Sequence, residues 1–280
     1  LLPSYKNLTF AANQSKMPAV RPKKQLGQHF LNDKRVASRI VESLKADKSD
    51  YIIEIGPGMG VLTSELLTKF GSKLFAAEVD FESVDYLNKI MPELTPNLIQ
   101  GDFLALNLSE KFNGNLAIIG NLPYNISSQI FFKVLENRQI VNEVVCMIQR
   151  EVAQRISEKP GTKTYGILSV LLQAYYDITY LFTVNEGVFT PPPKVKSAVI
   201  RLERNKTVNL SCNEVLFLKV VKAGFNQRRK TLRNSIRSVF PNIELSQKFS
   251  EKRPERLSVE EFVELTNEVE NLMKANKANS

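Results

Sequence analysis

Tyr51–Gly60 reads YIIEIGPGMG, an apolar, β-branched run that breaks into three glycines at alternate positions, Gly56, Gly58 and Gly60. A run of this length ended by Gly-Pro-Gly predicts a buried strand entering a tight turn, and the spacing from Val61 to Phe70 predicts a helix after it. Strand, glycine turn and helix together present backbone N–H groups and a helix N-terminus to a ligand, commonly one that contains adenosine. An ordinary strand-turn-helix corner has the same pattern, so the stretch needs support from the rest of the chain.

The glycine spacing narrows the ligand. A dinucleotide fingerprint, G-x-G-x-x-G, needs its third glycine at 61, where this chain has Val61, and no Lys-Ser/Thr pair follows to build a phosphate-cradling loop. A second strand predicted over Lys73–Val79 carries Glu78, about 20 residues beyond the turn, where such folds place the acceptor for a ribose hydroxyl. An adenosine ligand without phosphates fits best, and S-adenosylmethionine is the usual one.

Working outward, Arg21–Phe30 is a basic, loop-like segment, and Asn32 or Asp33 can cap a helix with Val36, Ile40, Val41 and Leu44 on one face. Phe81–Met91 reads as a helix stopped by Pro92. A short strand from Leu98 ends at Gly101-Asp102, where Asp102 either accepts from an adenine amino group or caps the next turn. Leu116–Ile119 is a further buried strand that runs into Gly120-Asn121-Leu122-Pro123-Tyr124-Asn125, with a helix from Ser127 or Ser128 through Leu135. Parallel sheets bind ligands at the carboxyl ends of their strands, which sets this loop beside the glycine turn. Val144–Ile148 is a fifth strand, and Arg150–Ser157 and Gly166–Tyr175 are helices. Ile178–Val184 and Ser197–Leu202 read as an antiparallel edge pair joined across Phe189-Thr190-Pro191-Pro192-Pro193.

A linker over Arg204–Ser211 leads to a helical tail: Asn213–Ala223, Gln227–Phe240, and Ser258–Met273 with a capping box of Ser258 and Glu261. In the second of these, Leu232, Ile236 and Val239 share one face, and Arg229, Arg233 and Arg237 recur at i, i+4 and i+8 on another. Formal net charge is +9, which matters only if it is localised. It is: Lys219, Lys222, Arg228, Arg229, Lys230, Arg233 and Arg237 lie in a stretch with no acid between Glu214 and Glu244. A merely solvated face normally mixes both signs, so the stretch reads as a footprint for nucleic acid.

Composition bounds the remainder. The 280 residues allow one large or two modest domains, and 43% hydrophobic content suffices for a substantial core. Cys146 and Cys212 are too few for a disulfide framework and lack metal-ligand spacing, which points to a reducing cytoplasm. The single histidine excludes a multi-His metal site, and no run approaches the ~20 apolar residues of a membrane span. Leu1–Lys16 lacks the apolar region of a signal peptide, and Met17 reads as a natural start preceded by a non-native or upstream leader.

Asn121–Tyr124 suggests a reaction. An exocyclic amine on a base is a poor nucleophile because its lone pair is delocalised into the ring, and acceptors that hold the amine away from planarity substitute for a strong base. The Asn121 side-chain oxygen and the Leu122 carbonyl could accept both amine protons and aim the lone pair at a sulfonium methyl. Pro123 fixes the turn and offers no competing N–H. Tyr124 provides a face for stacking the base and Phe189 the opposite one, each stack worth ~1–3 kcal/mol. A base inside a duplex could not reach such a pocket, so it must be unpaired or flipped. Without the glycine turn, the same residues would read as a proline loop with a core tyrosine.

The segments KKQLGQHFLND, EIGPGMG, GNLPYNISS, FTPPPKVKSAV and FNQRRKTLRNS, in order from about Lys23 to Phe240, resemble the ribosomal small-subunit RNA adenine dimethyltransferases, the KsgA family. The resemblance implies a class I methyltransferase fold, Rossmann-like α/β with a mainly parallel seven-stranded sheet, and a small all-helical C-terminal domain. The implied organisation is a leader over 1–16, a methyltransferase domain over 17–205 and a helical RNA-binding domain over 206–280. It also implies transfer of two methyl groups from S-adenosylmethionine to each of two adjacent adenosines in a hairpin loop near the 3′ end of small-subunit rRNA. The partner would be an immature small ribosomal subunit, met by a cytoplasmic monomer without a metal.

Cofactor contacts carried over from the family fall on His29, Leu31, Gly56, Gly58, Glu78, Asp102 and Asn121, and target-base contacts on Asn121, Leu122, Pro123, Tyr124 and Phe189. RNA contact falls on Arg228, Arg229, Lys230, Arg233 and Arg237. Bacterial members commonly have asparagine where this chain has His29, and a histidine can still donate or accept there. Two alternatives share these features. A large-subunit rRNA adenine methyltransferase conferring macrolide resistance has similar glycine and Asn-Leu-Pro-Tyr motifs, and a ribosome-assembly or nucleic-acid-binding factor could keep the fold without the chemistry.

Overall fold

A computed structural model of the chain describes residues 20–278; the leader expected over 1–16 and the start expected at Met17 lie outside the described residues. The elements run β1 Phe30–Leu31, α1 Lys34–Glu42, β2 Tyr51–Ile55, α2 Val61–Phe70, β3 Leu74–Glu78, α3 Phe81–Ile90, β4 Leu98–Gln100, α4 Leu108–Lys111, β5 Leu116–Asn121 and α5 Ser127–Glu136. They continue with β6 Val141–Gln149, α6 Arg150–Ser157, α7 Ile167–Gln173, β7 Tyr176–Val184, β8 Phe189–Thr190 and β9 Ser197–Arg204. The tail is α8 Glu214–Asn226, α9 Leu232–Arg237, α10 Gln247–Ser250 and α11 Val259–Ala278.

Seven strands form one sheet in the order β4-β3-β2-β5-β6-β9-β7. β2 lies between β3 and β5, parallel to both, and Ile52, Ile53 and Ile55 are almost fully buried, as expected of a strand covered on both faces. β9 is antiparallel to β6 and to β7, the edge strand. Every parallel strand is followed by a helix or turn at its carboxyl end, so the chain returns to the same rim of the sheet each time. Gly120 lets β5 lie close to β2 at that rim: a Cβ there would stand 2.6 Å from the Ile55 carbonyl oxygen.

One buried cluster packs α1 and α2 against one face of the sheet through Ile40, Val41, Leu62 and Leu66. On the other face a second cluster joins Ile118 and Val144 to Ile130 and Leu172, then runs without a break into Phe217, Val220, Phe225, Leu232 and Phe262 of the tail. The helical tail therefore shares its core with the sheet through α5 and α7.

Three local expectations change. Phe189 and Thr190 do not simply turn the β7–β9 connection; they pair antiparallel with Leu31 and Phe30 as a two-stranded ribbon. The helix expected over Gln227–Phe240 is only α9, because Gln227–Lys230 supplies no apolar residue to bury and the chain turns there, with the Lys230 N–H donating to the Gln227 carbonyl. Arg229 is thus in the turn rather than on a helix, and Val239, 45% exposed, does not share the buried face of Leu232 and Ile236. Cys146 and Cys212 are free thiols. Among the described residues, no helix is long and apolar enough to cross a membrane.

Candidate functional site

A cavity of about 690 Å³, counting its open mouth, lies at the carboxyl ends of β2, β3, β4 and β5 and is walled by Gly56, Gly58, Glu78, Asp102 and Asn121. Its floor is built by the glycine turn. Gly58 has a left-handed backbone (φ +55°), and a Cβ on it would stand 2.9 Å from the Phe30 ring; only glycine meets both conditions without strain. In that conformation the Gly58 N–H donates to Glu78 Oε2 at 3.0 Å, and the Asp80 N–H donates to Oε1 at 2.9 Å. Glu78 is buried, which pushes its pKa up, and these two N–H groups oppose the shift. One strand back, Glu54 is 1% exposed; burial pushes its carboxyl to about 8, opposed by the Thr63 hydroxyl and assisted by Glu78.

Asp102 lines the cavity and also caps the next turn, its Oδ1 accepting from the Leu104 N–H at 2.9 Å. The cap leaves the carboxylate with unused lone pairs, so Asp102 keeps acceptor capacity.

The other wall is Asn121–Tyr124. The Asn121 amide nitrogen donates to the His29 carbonyl oxygen at 2.9 Å. A carbonyl can only accept, so this bond turns the NH2 end toward His29 and leaves Oδ1 available as an acceptor. Leu122 continues the sheet, its N–H donating to the Met147 carbonyl at 3.0 Å. The Tyr124 hydroxyl shares a 2.6 Å hydrogen bond with Ser197 Oγ, and burial raises its pKa above the ordinary phenol, with the Ser197 bond opposing.

Residues 20–32 cross over the cavity as a strap. Lys23 Nζ donates to Asp80 Oδ1 at 2.5 Å, the Asn32 N–H donates to the Val188 carbonyl at 2.8 Å, and Asn32 Nδ2 donates to Thr190 Oγ1 at 2.6 Å. His29 is the hinge of this arrangement: Nδ1 lies 2.7 Å from the Pro191 carbonyl oxygen, and the ring stacks on Tyr124 with centroids 5.6 Å apart. The imidazole is therefore engaged with Pro191 and Tyr124 while the His29 main chain orients Asn121.

Of the expected site residues, His29, Gly56, Gly58, Glu78, Asp102, Asn121, Leu122, Pro123 and Tyr124 share the one cavity. Leu31 does not; it borders an adjoining hollow behind Gly58 and Asn121. Phe189 is not in the cavity wall either: it is 3% exposed and packs in the core under β1. Sequence reasoning missed Val79, Phe103 and Ile126, apolar residues of the same wall. The first two directly follow or nearly follow the carboxyl ends of β3 and β4, the one signal that could have found them. Nothing local marked Ser197.

In the tail, Arg229, Lys230 and Arg237 are exposed. Arg233 pairs with Glu251 at 2.5 Å, an acid outside the acid-free stretch of sequence. Arg228 bends back to donate to the Lys163 and Tyr165 carbonyls.

The chain matches the model of the family described as ribosomal RNA adenine dimethylase over residues 19–273. It is 55% identical over 253 residues to a ribosomal RNA small subunit methyltransferase A of Cytophaga hutchinsonii, covering 90% of this chain and 98% of that one. A protein of the same description from Parabacteroides distasonis is 56% identical over 254 residues, covering 89% and 94%. Among solved structures, a dimethyladenosine transferase from Plasmodium falciparum has the same fold (TM-score 0.73, 24% identity, 87% of this chain and 98% of that one). So does the 23S rRNA methyltransferase ErmE (TM-score 0.66, 22% identity, 86% and 99%).

Proposed function

The chain belongs to the ribosomal RNA adenine dimethylase family, and from that premise we propose that it dimethylates the 6-amino groups of two adjacent adenosines in a hairpin loop near the 3′ end of small-subunit rRNA. The observation that carries the chemistry is the Asn121 amide in the cavity wall, pinned by the His29 carbonyl so that its oxygen is left to accept.

The cavity suits S-adenosylmethionine. Glu78 and Asp102 line it, no lysine or arginine does among the described residues, and Val79, Phe103 and Ile126 supply apolar surface. Two carboxyls without a cationic partner favour a sulfonium over a pyrophosphate. Glu78 would hold the ribose hydroxyls, Asp102 the adenine amino group, and Gly56 and Gly58 the backbone side. When bound, the cofactor supplies an electrophilic methyl group.

Asn121 Oδ1 and the Leu122 carbonyl accept the two amine protons of an unpaired adenine and free the nitrogen lone pair from the ring. Pro123 leaves no N–H in that position to compete. Tyr124, with one side of its ring covered by His29, offers the base its remaining face, and Phe189 could add a second stack only by leaving its core position. The alkylated amine is strongly acidic until it sheds a proton, so water can take it and no enzyme base is required.

The finer reading assigns 17–205 to the methyltransferase domain and 206–280 to RNA binding, with Arg229, Lys230, Arg233 and Arg237 meeting phosphates. It places a monomer in the cytoplasm on an immature small subunit. Relatives named for the small subunit favour that substrate over the large-subunit alternative. The test is incubation with methyl-labelled S-adenosylmethionine and unmethylated small subunits, followed by mapping of the modified bases. Label on two neighbouring adenosines is expected; label confined to large-subunit rRNA, or none in rRNA, would overturn the reading.

A further inference from the structure

The 158–165 loop joins α6 to α7 in the sheet layer, where the Gln173 amide donates to the Glu158 carbonyl at 2.8 Å, and it is also attached to the tail. Arg228, in the turn after α8, donates to the Lys163 carbonyl and, at 3.2 Å, to the Tyr165 carbonyl. The Gly161 N–H donates to the Glu255 carbonyl at 2.7 Å, and the Arg256 guanidinium comes 3.9 Å from where a Cβ on Gly161 would stand. Lys159 and Lys163 on the loop are exposed, as are Arg229, Lys230 and Arg256 opposite them. Of the acids adjoining the loop, Glu158 accepts from the Lys159 N–H at 3.1 Å, and Glu255 Oε2 is buried.

This basic surface is tied to the reaction site through α6. Eight residues long, α6 spans about 12 Å and begins at Arg150, whose N–H donates to the Lys196 carbonyl at 2.9 Å. Lys196 adjoins Ser197, the partner of the Tyr124 hydroxyl. Arg150 and Lys196 are themselves exposed, and between them and the loop lysines Arg155 of α6 is paired with the exposed Glu151 at 2.8 Å, so the exposed cations gather at the two ends of α6. Cations at both ends of a helix that leads away from a base-sized pocket match phosphates of the strand that carries the base.

We propose that Arg228 is a positioning residue that clamps the 158–165 loop to the tail, and that Lys159 and Lys163 on that loop contact the phosphate backbone of the substrate rRNA. The RNA surface is then a composite of both layers, and one nitrogen of a guanidinium that the charge pattern nominates as a contact is engaged by two backbone carbonyls. The proposal rests on the rRNA-methylating reading.

Binding of the full chain to small-subunit rRNA is to be measured across a salt series. Lys159→Ala with Lys163→Ala should lower the magnitude of the log-log salt slope by about 1.4 to 1.8, two phosphate contacts at about 0.7 to 0.9 each. An unchanged slope overturns the loop contact. Both Arg228 bonds leave Nη2, a geometry that an ammonium can also satisfy, so the clamp is tested by removing the side chain. Arg228→Ala should weaken binding and speed amide exchange at Gly161–Lys163, whereas Arg229→Ala, which removes an equal charge, should leave that exchange unchanged. Exchange at Gly161–Lys163 in Arg228→Ala like that of the unaltered chain would overturn the clamp. An unaltered chain that binds without salt dependence would instead overturn the functional reading itself, and this proposal with it. Thermal unfolding of each variant distinguishes a lost contact from a lost fold.

Discussion

At the scale of single residues, the site depends on a few groups with no freedom to be something else. Asn121 is held by one bond to a main-chain carbonyl, so Asn121→Ala should abolish methyl transfer while leaving subunit binding nearly intact; equal loss of both would contradict its role. Gly58→Ala would force a side chain into left-handed backbone at a cost of ~1–2 kcal/mol and push into the Phe30 ring. Weaker S-adenosylmethionine binding by calorimetry is the expected result. Glu54 makes a pH prediction. Its carboxyl titrates at about 8 in the folded chain against an ordinary 4.5, so the folded state binds the extra proton between those values. Its contribution to stability is fully present below about 4.5 and is lost as pH rises toward 8. Glu54→Gln keeps an acceptor for Thr63, and its melting temperature should fall less across that window than that of the unaltered chain.

Among the elements, those set by local chemistry differ from those set by partners far away. α11 starts with the reciprocal bonds expected of Ser258 and Glu261, the Ser258 N–H donating to Glu261 Oε2 at 3.0 Å and the Glu261 N–H to Ser258 Oγ at 3.2 Å. Losing the hydroxyl in Ser258→Ala should cost ~1 kcal/mol in a denaturant titration. The β1–β8 ribbon is the opposite case. Two residues carry no periodicity, and Phe30 pairs with Thr190 across the whole sheet domain, so neither strand could be read locally. Its consequence is measurable: Phe189 is core, and Phe189→Ala should destabilise the chain by ~3–5 kcal/mol. A variant with unchanged stability but lost turnover would restore Phe189 to a purely base-stacking role.

For the molecule as a whole, the question is whether the tail folds apart from the sheet. Its buried residues are continuous with those over β5 and β6, so a chain ending at 205 would expose the apolar faces of α5 and α7. That truncation should bind a hydrophobic dye and lose cooperative melting; a soluble, cooperatively folding 20–205 fragment would show that the shared core is dispensable. The parallel strands and their helices were legible because buried strands and amphipathic helices announce themselves over five to ten neighbouring residues, and the glycine turn because its backbone demands glycine. By itself the sequence therefore determined the α/β architecture, the Gly56–Gly58 floor, Glu78, and the Asn121–Tyr124 wall. Only the tertiary structure decided which way the Asn121 amide points, that His29 covers Tyr124, that Phe189 is buried, that Glu251 meets Arg233 and that Arg228 reaches the Lys163 and Tyr165 carbonyls. Each of these depends on atoms brought together from distant parts of the chain, and a single sequence encodes such contacts through packing rather than through any local pattern.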